Sequence, residues 1–318
     1  MQPIEENMQG FQRREWTSRS LGTRLGHSIF YGLIRFGGRR PAYFALYFVV
    51  FYYMLFRPSI RRRTKYYLHR RFQDRKLLAR FVDSYRMSFE LGKILIDRAT
   101  LGILGSEKMK VTLYGRKKLL KLLDRRCGFV LLMSHVGSWQ VVLSALSFMD
   151  IPVNLLLERE QGNIDRHYFE YTGTGSPYRI IDPGGYLGGT LEMLEVLKKG
   201  QVLCVMGDRV SGSQKSFVNV EFLGEEASFP YSAFKLASAA KVPIVVFFSY
   251  KNGPDSYALK ISKIIRVPKN LGRSGKYFLP YVSQYIEALE SYVQIHPYQF
   301  FNFYNMWEKK KDEYKRQT

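Results

Sequence analysis

Five consecutive apolar residues, Phe129-Val130-Leu131-Leu132-Met133, run straight into Ser134-His135-Val136-Gly137-Ser138-Trp139-Gln140 and then into a helix-like segment. A strand without polar alternation is buried on both faces, as in a sheet covered by helices on each side. Open α/β sheets place their chemistry at the C-terminal ends of such strands. His135 therefore stands where a catalytic base would be useful.

The surrounding chain has the alternation that an α/β sheet requires. After a strand and turn at Val111-Thr112-Leu113-Tyr114-Gly115, strands are expected at 128–134, 152–157, 178–181, 201–206, 243–249 and 257–265. Helices are expected at 137–149, 162–172, 186–199 and 230–241, and a closing helix at 278–295. The helix from Tyr186 ends in Lys198-Lys199-Gly200, basic residues over the negative dipole end followed by a glycine stop. At 318 residues the chain can bury a full core.

The N-terminal part is built differently. Leu21, Leu25, Ile29, Leu33 and Phe36 recur at helical spacing, with Arg19, Arg24 and Arg35 between them, until Gly37-Gly38-Arg39-Arg40-Pro41 breaks the pattern. Residues 41–56 are then an almost unbroken apolar and aromatic run that includes Tyr43, Phe44 and Phe51. Arg39 and Arg40 precede it; Arg57, Arg61, Arg62 and Arg63 follow it. A membrane-spanning helix needs about 20 apolar residues, and this run is shorter. The expectation is a helix dipping into one leaflet or packing on the catalytic domain, with arginines at both ends holding headgroups, the alternative being a core helix of a soluble protein. One continuous helix is expected over residues 66–104.

A net charge of +22, from 49 Lys+Arg against 27 Asp+Glu, calls for an anionic partner. Aromatic rings beside the N-terminal arginines favour membrane phospholipids. No zinc-finger spacing, basic zipper or aromatic RNA-binding signature is present, so nucleic acid is not an expected partner and a basic nucleic-acid-binding protein stays a remote alternative. Cys127 and Cys204 lie beside apolar runs and read as small buried residues. His27, His69, His167 and His296 lack companions at ligand spacing, and no metal is expected.

Three separated segments converge on one kind of site: His135 with Gly137, Trp139 and Gln140; Gly207-Asp208-Arg209 directly after a strand; and Phe229-Pro230 entering a helix. With the tail His296-Pro297-Tyr298-Gln299-Phe300-Phe301-Asn302-Phe303-Tyr304, this resembles the lysophospholipid acyltransferase superfamily. More narrowly it resembles the branch containing the lipid A secondary acyltransferases, whose signature is His, four residues, then Asp or Glu. The resemblance runs from about residue 16 to 307.

The resemblance implies an α/β fold, a mixed sheet flanked by helices, with membrane-attachment helices over residues 1–65 and an acyltransferase domain over 66–318. It implies that His135 removes a proton from a lipid hydroxyl or amine as this attacks an acyl thioester. Acyl carrier protein, or coenzyme A, would bring the acyl chain as co-substrate, with no further cofactor, at the cytoplasmic face of an inner membrane. Gly137 and the following helix start would offer N–H donors to the oxyanion, Arg209, oriented by Asp208, would meet a phosphate, and Trp139, Gly207, Phe229 and Pro230 would line the substrate site.

One position departs from the pattern. Gln140 stands where the carboxylate is usual, and an amide can orient an imidazole but brings no compensating charge. Either Gln140 suffices, or another acid among Glu158, Glu160 and Asp208 reaches the ring, or a more reactive amine acceptor asks less of the base, or the protein is a non-catalytic lipid-binding or complex-forming member of the same fold.

Overall fold

The computed structural model describes residues 23–105, 109–124, 127–145, 151–157, 178–210 and 216–308. The helix expected at 162–172, with Glu158, Glu160 and His167, lies outside them. Four helices come first: α1 (Arg24–Gly37), α2 (Arg39–Phe56), α3 (Pro58–Arg71) and α4 (Leu77–Leu104). The strands follow as β1 (Lys110–Tyr114), β2 (Phe129–Met133), β3 (Val153–Leu156), β4 (Arg179–Ile181), β5 (Val202–Met206), β6 (Phe217–Phe222), β7 (Glu225–Pro230), β8 (Ile244–Gly253) and β9 (Ser256–Ile265). Between and after them lie α5 (Arg116–Leu123), α6 (Trp139–Ala145), α7 (Thr190–Lys198), α8 (Ser232–Ala240) and α9 (Leu279–Ile295).

Seven strands form one sheet in the order β1-β9-β8-β2-β5-β3-β4, parallel except where β8 meets β9. The apolar runs of β2 and β5 sit at its centre, and side-chain alternation sends them to two cores. Val130, Leu132, Leu203 and Val205 face α7, α8 and α9, whereas Phe129, Leu131, Met133 and Cys204 face α5 and α6. Cys127 differs from expectation: it is exposed, in the loop before β2.

Two elements depart from the sequence reading. The helix expected over 66–104 is broken between Arg71 and Leu77, where Phe72 leaves helical geometry and its ring lies against Tyr298, centroids 5.7 Å apart. No glycine or proline announces this break. β6 and β7 form a separate antiparallel hairpin that was not expected. Its two-residue turn puts both Leu223 and Gly224 at positive φ, a geometry usually announced by Asn-Gly or Asp-Gly.

α2 is two-sided. Ala42, Leu46, Val50 and Met54 make a buried stripe against α1 and α4, while Phe44, Phe48, Tyr52 and Phe56, each two positions further on, face outward. The division expected at 65/66 falls inside α3, whose Tyr67 and Leu68 belong to the core beneath the sheet.

A buried polar cluster fastens α2 to the sheet. Asp97 of α4 accepts from Tyr43 Oη, from Lys251 Nζ at 2.7 Å and from Tyr257 Oη at 2.5 Å. Arg39 lies 3.8 Å from Asp97 and 3.0 Å from Asp255. Arg39 and Tyr43, expected at lipid headgroups, therefore turn inward, because the buried Asp97 carboxylate needs cationic and hydroxyl donors around it.

Candidate active site

The register of two neighbouring strands creates the site. Met133 of β2 is opposite Met206 of β5, so His135 and Asp208, each two residues further on, emerge side by side. Asp208 Oδ1 lies 2.9 Å from His135 Nδ1, and Oδ2 accepts the His135 backbone N–H at 3.1 Å. The carboxylate is fully buried, whereas the imidazole retains 28% of its exposure. Gly207 continues the ladder by donating its N–H to Met133 C=O at 2.9 Å, and a Cβ there would meet Leu132 Cδ1 at 2.7 Å.

Burial opposes the charge on Asp208. The nearby imidazole, its hydrogen bond, the Arg209 guanidinium and the His135 N–H outweigh that penalty and hold the carboxyl below its usual range. Asp208 is thus an acceptor at neutral pH, which places the neutral ring's proton on Nδ1 and its basic lone pair on Nε2.

The role assigned first to Gln140 is therefore occupied by Asp208, one of the three alternative acids. Gln140 is buried in the first turn of α6, where its Oε1 accepts from Ser138 Oγ at 3.3 Å. Both Asp208 oxygens contact His135, and the same carboxylate interacts electrostatically with the Arg209 guanidinium. The Arg209 guanidinium, expected at a phosphate, donates from Nη2 to Phe301 C=O at 2.8 Å.

The loop after His135 is held by backbone bonds. Gly137 N–H donates to Gln299 C=O at 3.1 Å and Ser138 N–H to Ser249 Oγ at 2.9 Å. These two donors, expected at an oxyanion, are engaged within the fold. Gly137 is irreplaceable for a different reason: its φ is +53°, and a Cβ would lie 2.2 Å from Ser249 O. Gly137→Ala is expected to destabilise the fold by about 2–4 kcal/mol, from left-handed strain plus overpacking. Denaturant titration checks it.

The remaining substrate-lining expectations separate. Trp139 is half-buried at the start of α6. Phe229 is fully buried, edge-on to Phe222 at 5.6 Å and to Tyr285 at 6.4 Å, and Pro230 ends β7 rather than opening a helix. These two are core residues because the unexpected hairpin carries them inward. Tyr285, on the closing helix α9, places its hydroxyl 2.6 Å from Ser134 Oγ, directly before His135.

Among the residues expected at the membrane, Phe44, Phe51, Arg40, Arg57 and Arg62 are exposed. Arg61 and Arg63 are half-buried, and Arg61 caps α2 by donating to Met54 C=O at 2.5 Å. Among the described residues, no three His, Cys, Asp or Glu are grouped to hold a metal.

The model of the bacterial lipid A biosynthesis acyltransferase family matches residues 84–309, well over half of the chain. The chain belongs to this family. It is an acyltransferase of lipid acceptors, and the matched span holds His135, Asp208, Arg209 and the tail through Tyr304. The span begins within α4, so α1–α3 lie ahead of it. No curated protein matches the chain significantly.

Proposed function

We propose that this lipid A acyltransferase family member carries a fatty acyl group from an acyl-carrier-protein thioester, or from coenzyme A, to a hydroxyl or amine of its lipid acceptor, with His135 as general base. The supporting observation is the His135–Asp208 pair: a buried anion on Nδ1 and a partly exposed ring with its lone pair on Nε2. As the acceptor's O–H or N–H proton moves to Nε2, the acceptor atom bonds to the thioester carbon. The C–S bond then breaks, and the sulfur departs as a thiol by taking back the proton held on the imidazolium. Asp208 compensates the imidazolium formed on the way. With a carboxylate in place, Gln140 supplies no argument for a non-catalytic protein.

The reaction belongs at a membrane surface, in our reading the cytoplasmic face of an inner membrane. Phe44, Phe48, Tyr52 and Phe56 make an outward aromatic stripe on α2, each more than half exposed, and Leu25, Ile29 and Phe36 extend it on α1. Among the described residues no single helix is long and apolar enough to span a bilayer, and α2 turns by 93° into α3. Such a face suits a helix lying in the interface, with Arg40, Arg57 and Arg62 at phospholipid headgroups.

The direct test supplies long-chain acyl carrier protein and acyl-coenzyme A separately to the purified protein with lipid acceptor in vesicles. Acyl transfer dependent on one donor supports the reading; thioester left intact with both rejects it. For attachment, Phe44→Ser/Phe48→Ser/Phe56→Ser is expected to lose vesicle flotation by at least ~10²-fold, since each ring contributes about 1.5 kcal/mol or more when buried. The melting temperature should stay within a few degrees, because these rings touch little of the fold.

A further inference from the structure

The tail motif at residues 296–304 has no part in the proton transfer described above, yet it lies against the loop that carries His135. Phe301 N–H donates to His135 C=O at 2.7 Å, Phe300 forms an antiparallel bridge with Val136, and Gln299 C=O accepts from Gly137 N–H at 3.1 Å. The tail thus adds one antiparallel bridge, the shortest form of an added strand, along the loop that carries His135.

Gln299 fixes the register of that strand. β8 is ten residues long and β2 only five, so β8 continues past the point where β2 turns away at His135. Beyond that point the Lys251 main chain needs new partners. The Gln299 side chain supplies both: Oε1 accepts the Lys251 N–H at 2.8 Å, and Nε2 donates to Lys251 C=O at 2.9 Å. The side-chain amide replaces a missing strand partner while the Gln299 main-chain carbonyl holds Gly137. At the other end, Arg209 Nη2 holds Phe301 C=O at 2.8 Å, so one residue, Phe301, is fixed between the residues following both site strands. Lys251 is itself immobilised by Asp97 at 2.7 Å and by Pro254 C=O at 2.7 Å.

We propose that Gln299 is a positioning residue for His135: its side-chain clamp on Lys251 sets the tail strand, and the tail strand sets the imidazole over the acceptor. The role deepens the proposed acyl transfer and rests on His135 being the base. Gln299 does not meet substrate. Its removal changes the placement of the ring and so costs turnover rather than donor binding, and a misplacement of about 1 Å can cost on the order of 10²-fold.

The experiment compares wild type, Gln299→Met, His135→Ala and the double variant in the vesicle assay. Gln299→Met keeps the volume and removes both side-chain bonds. Its kcat is expected to fall about 10- to 100-fold, with donor KM within about threefold, and it should cost nothing further in the His135→Ala background. Imidazole Cε1–H NMR reads the ring without turnover: the His135 signal should move in Gln299→Met while those of His27 and His69 stay. If Gln299→Met does not fold, Gln299→Glu keeps the volume and the acceptor for Lys251 N–H while losing the donor to its carbonyl, and is read in the same way. An equal loss in the His135→Ala background, or an unmoved His135 signal with unchanged kcat, overturns the proposal. A wild type without acyl transfer defeats the acyltransfer reading instead, and the NMR arm still decides whether Gln299 sets the ring.

Discussion

His135→Ala lowers kcat by about 10²- to 10⁴-fold, the usual contribution of a positioned base. The substitution leaves the backbone N–H that Asp208 Oδ2 accepts, because that bond does not involve the ring. It removes the partner of Oδ1 within a buried carboxylate, so a stability loss of about 1–3 kcal/mol accompanies the loss of rate. Kinetics and melting must therefore be measured together, at a temperature where the variant is folded. The pH profile supplies the independent sign. Only the neutral ring accepts a proton, so wild-type turnover rises with pH as the imidazole loses its proton. Asp208 is already ionised there, being held below the usual carboxylate range, and adds no limb of its own. His135→Ala loses that rise. A variant that keeps it, at wild-type rate, rejects His135 as the base.

The strand that delivers His135 was legible because double burial leaves an unmistakable apolar run, and the same held for β5 before Asp208. Their pairing was not legible: nothing local to Gly207-Asp208-Arg209 says that it emerges beside His135. Only the register of Met133 against Met206 does. Motif spacing consequently drew attention to Gln140, five positions after the histidine, while the carboxylate came from another strand. The β6–β7 hairpin was missed because Leu223 occupies a positive-φ turn position for which leucine gives no signal. That one omission also put Phe229 and Pro230 at a helix entrance, whereas they lie in the buried strand β7. On α2 the aromatic run was visible, but its two sides were not. Tyr43 points inward because Asp97, far along the chain on α4, needs its hydroxyl. The tail was recognisable as a motif, whereas its job depends on β8 outrunning β2.

Asp208→Asn is the sharper test of the dyad, because it keeps shape and removes charge. The carboxylate accepts two N–H groups from His135, one from the ring and one from the backbone. An asparagine has one oxygen, so one of those donors must face an NH₂ group or the ring must change tautomer. Either outcome takes the lone pair or the ring out of place, and kcat is expected to fall by about 10²- to 10⁴-fold, as when a triad carboxylate becomes an amide. Donor KM changes little, because the buried carboxylate does not meet the acyl group. Whatever activity remains has its acid limb shifted to lower pH, since the anion that favoured the imidazolium is gone. Stability follows from the same linkage. The folded-state value for Asp208 is depressed, so its contribution is present above the unfolded carboxyl value of about 3.9 and is lost as pH falls through the folded value. Asp208→Asn should therefore melt below wild type at neutral pH, and the gap should close in acid below about pH 4. Because His135 and Asp208 act as one unit, the double variant should be no slower than His135→Ala alone. Additive losses would mean that the carboxylate works on the reaction without the imidazole, and the proposed dyad would not stand.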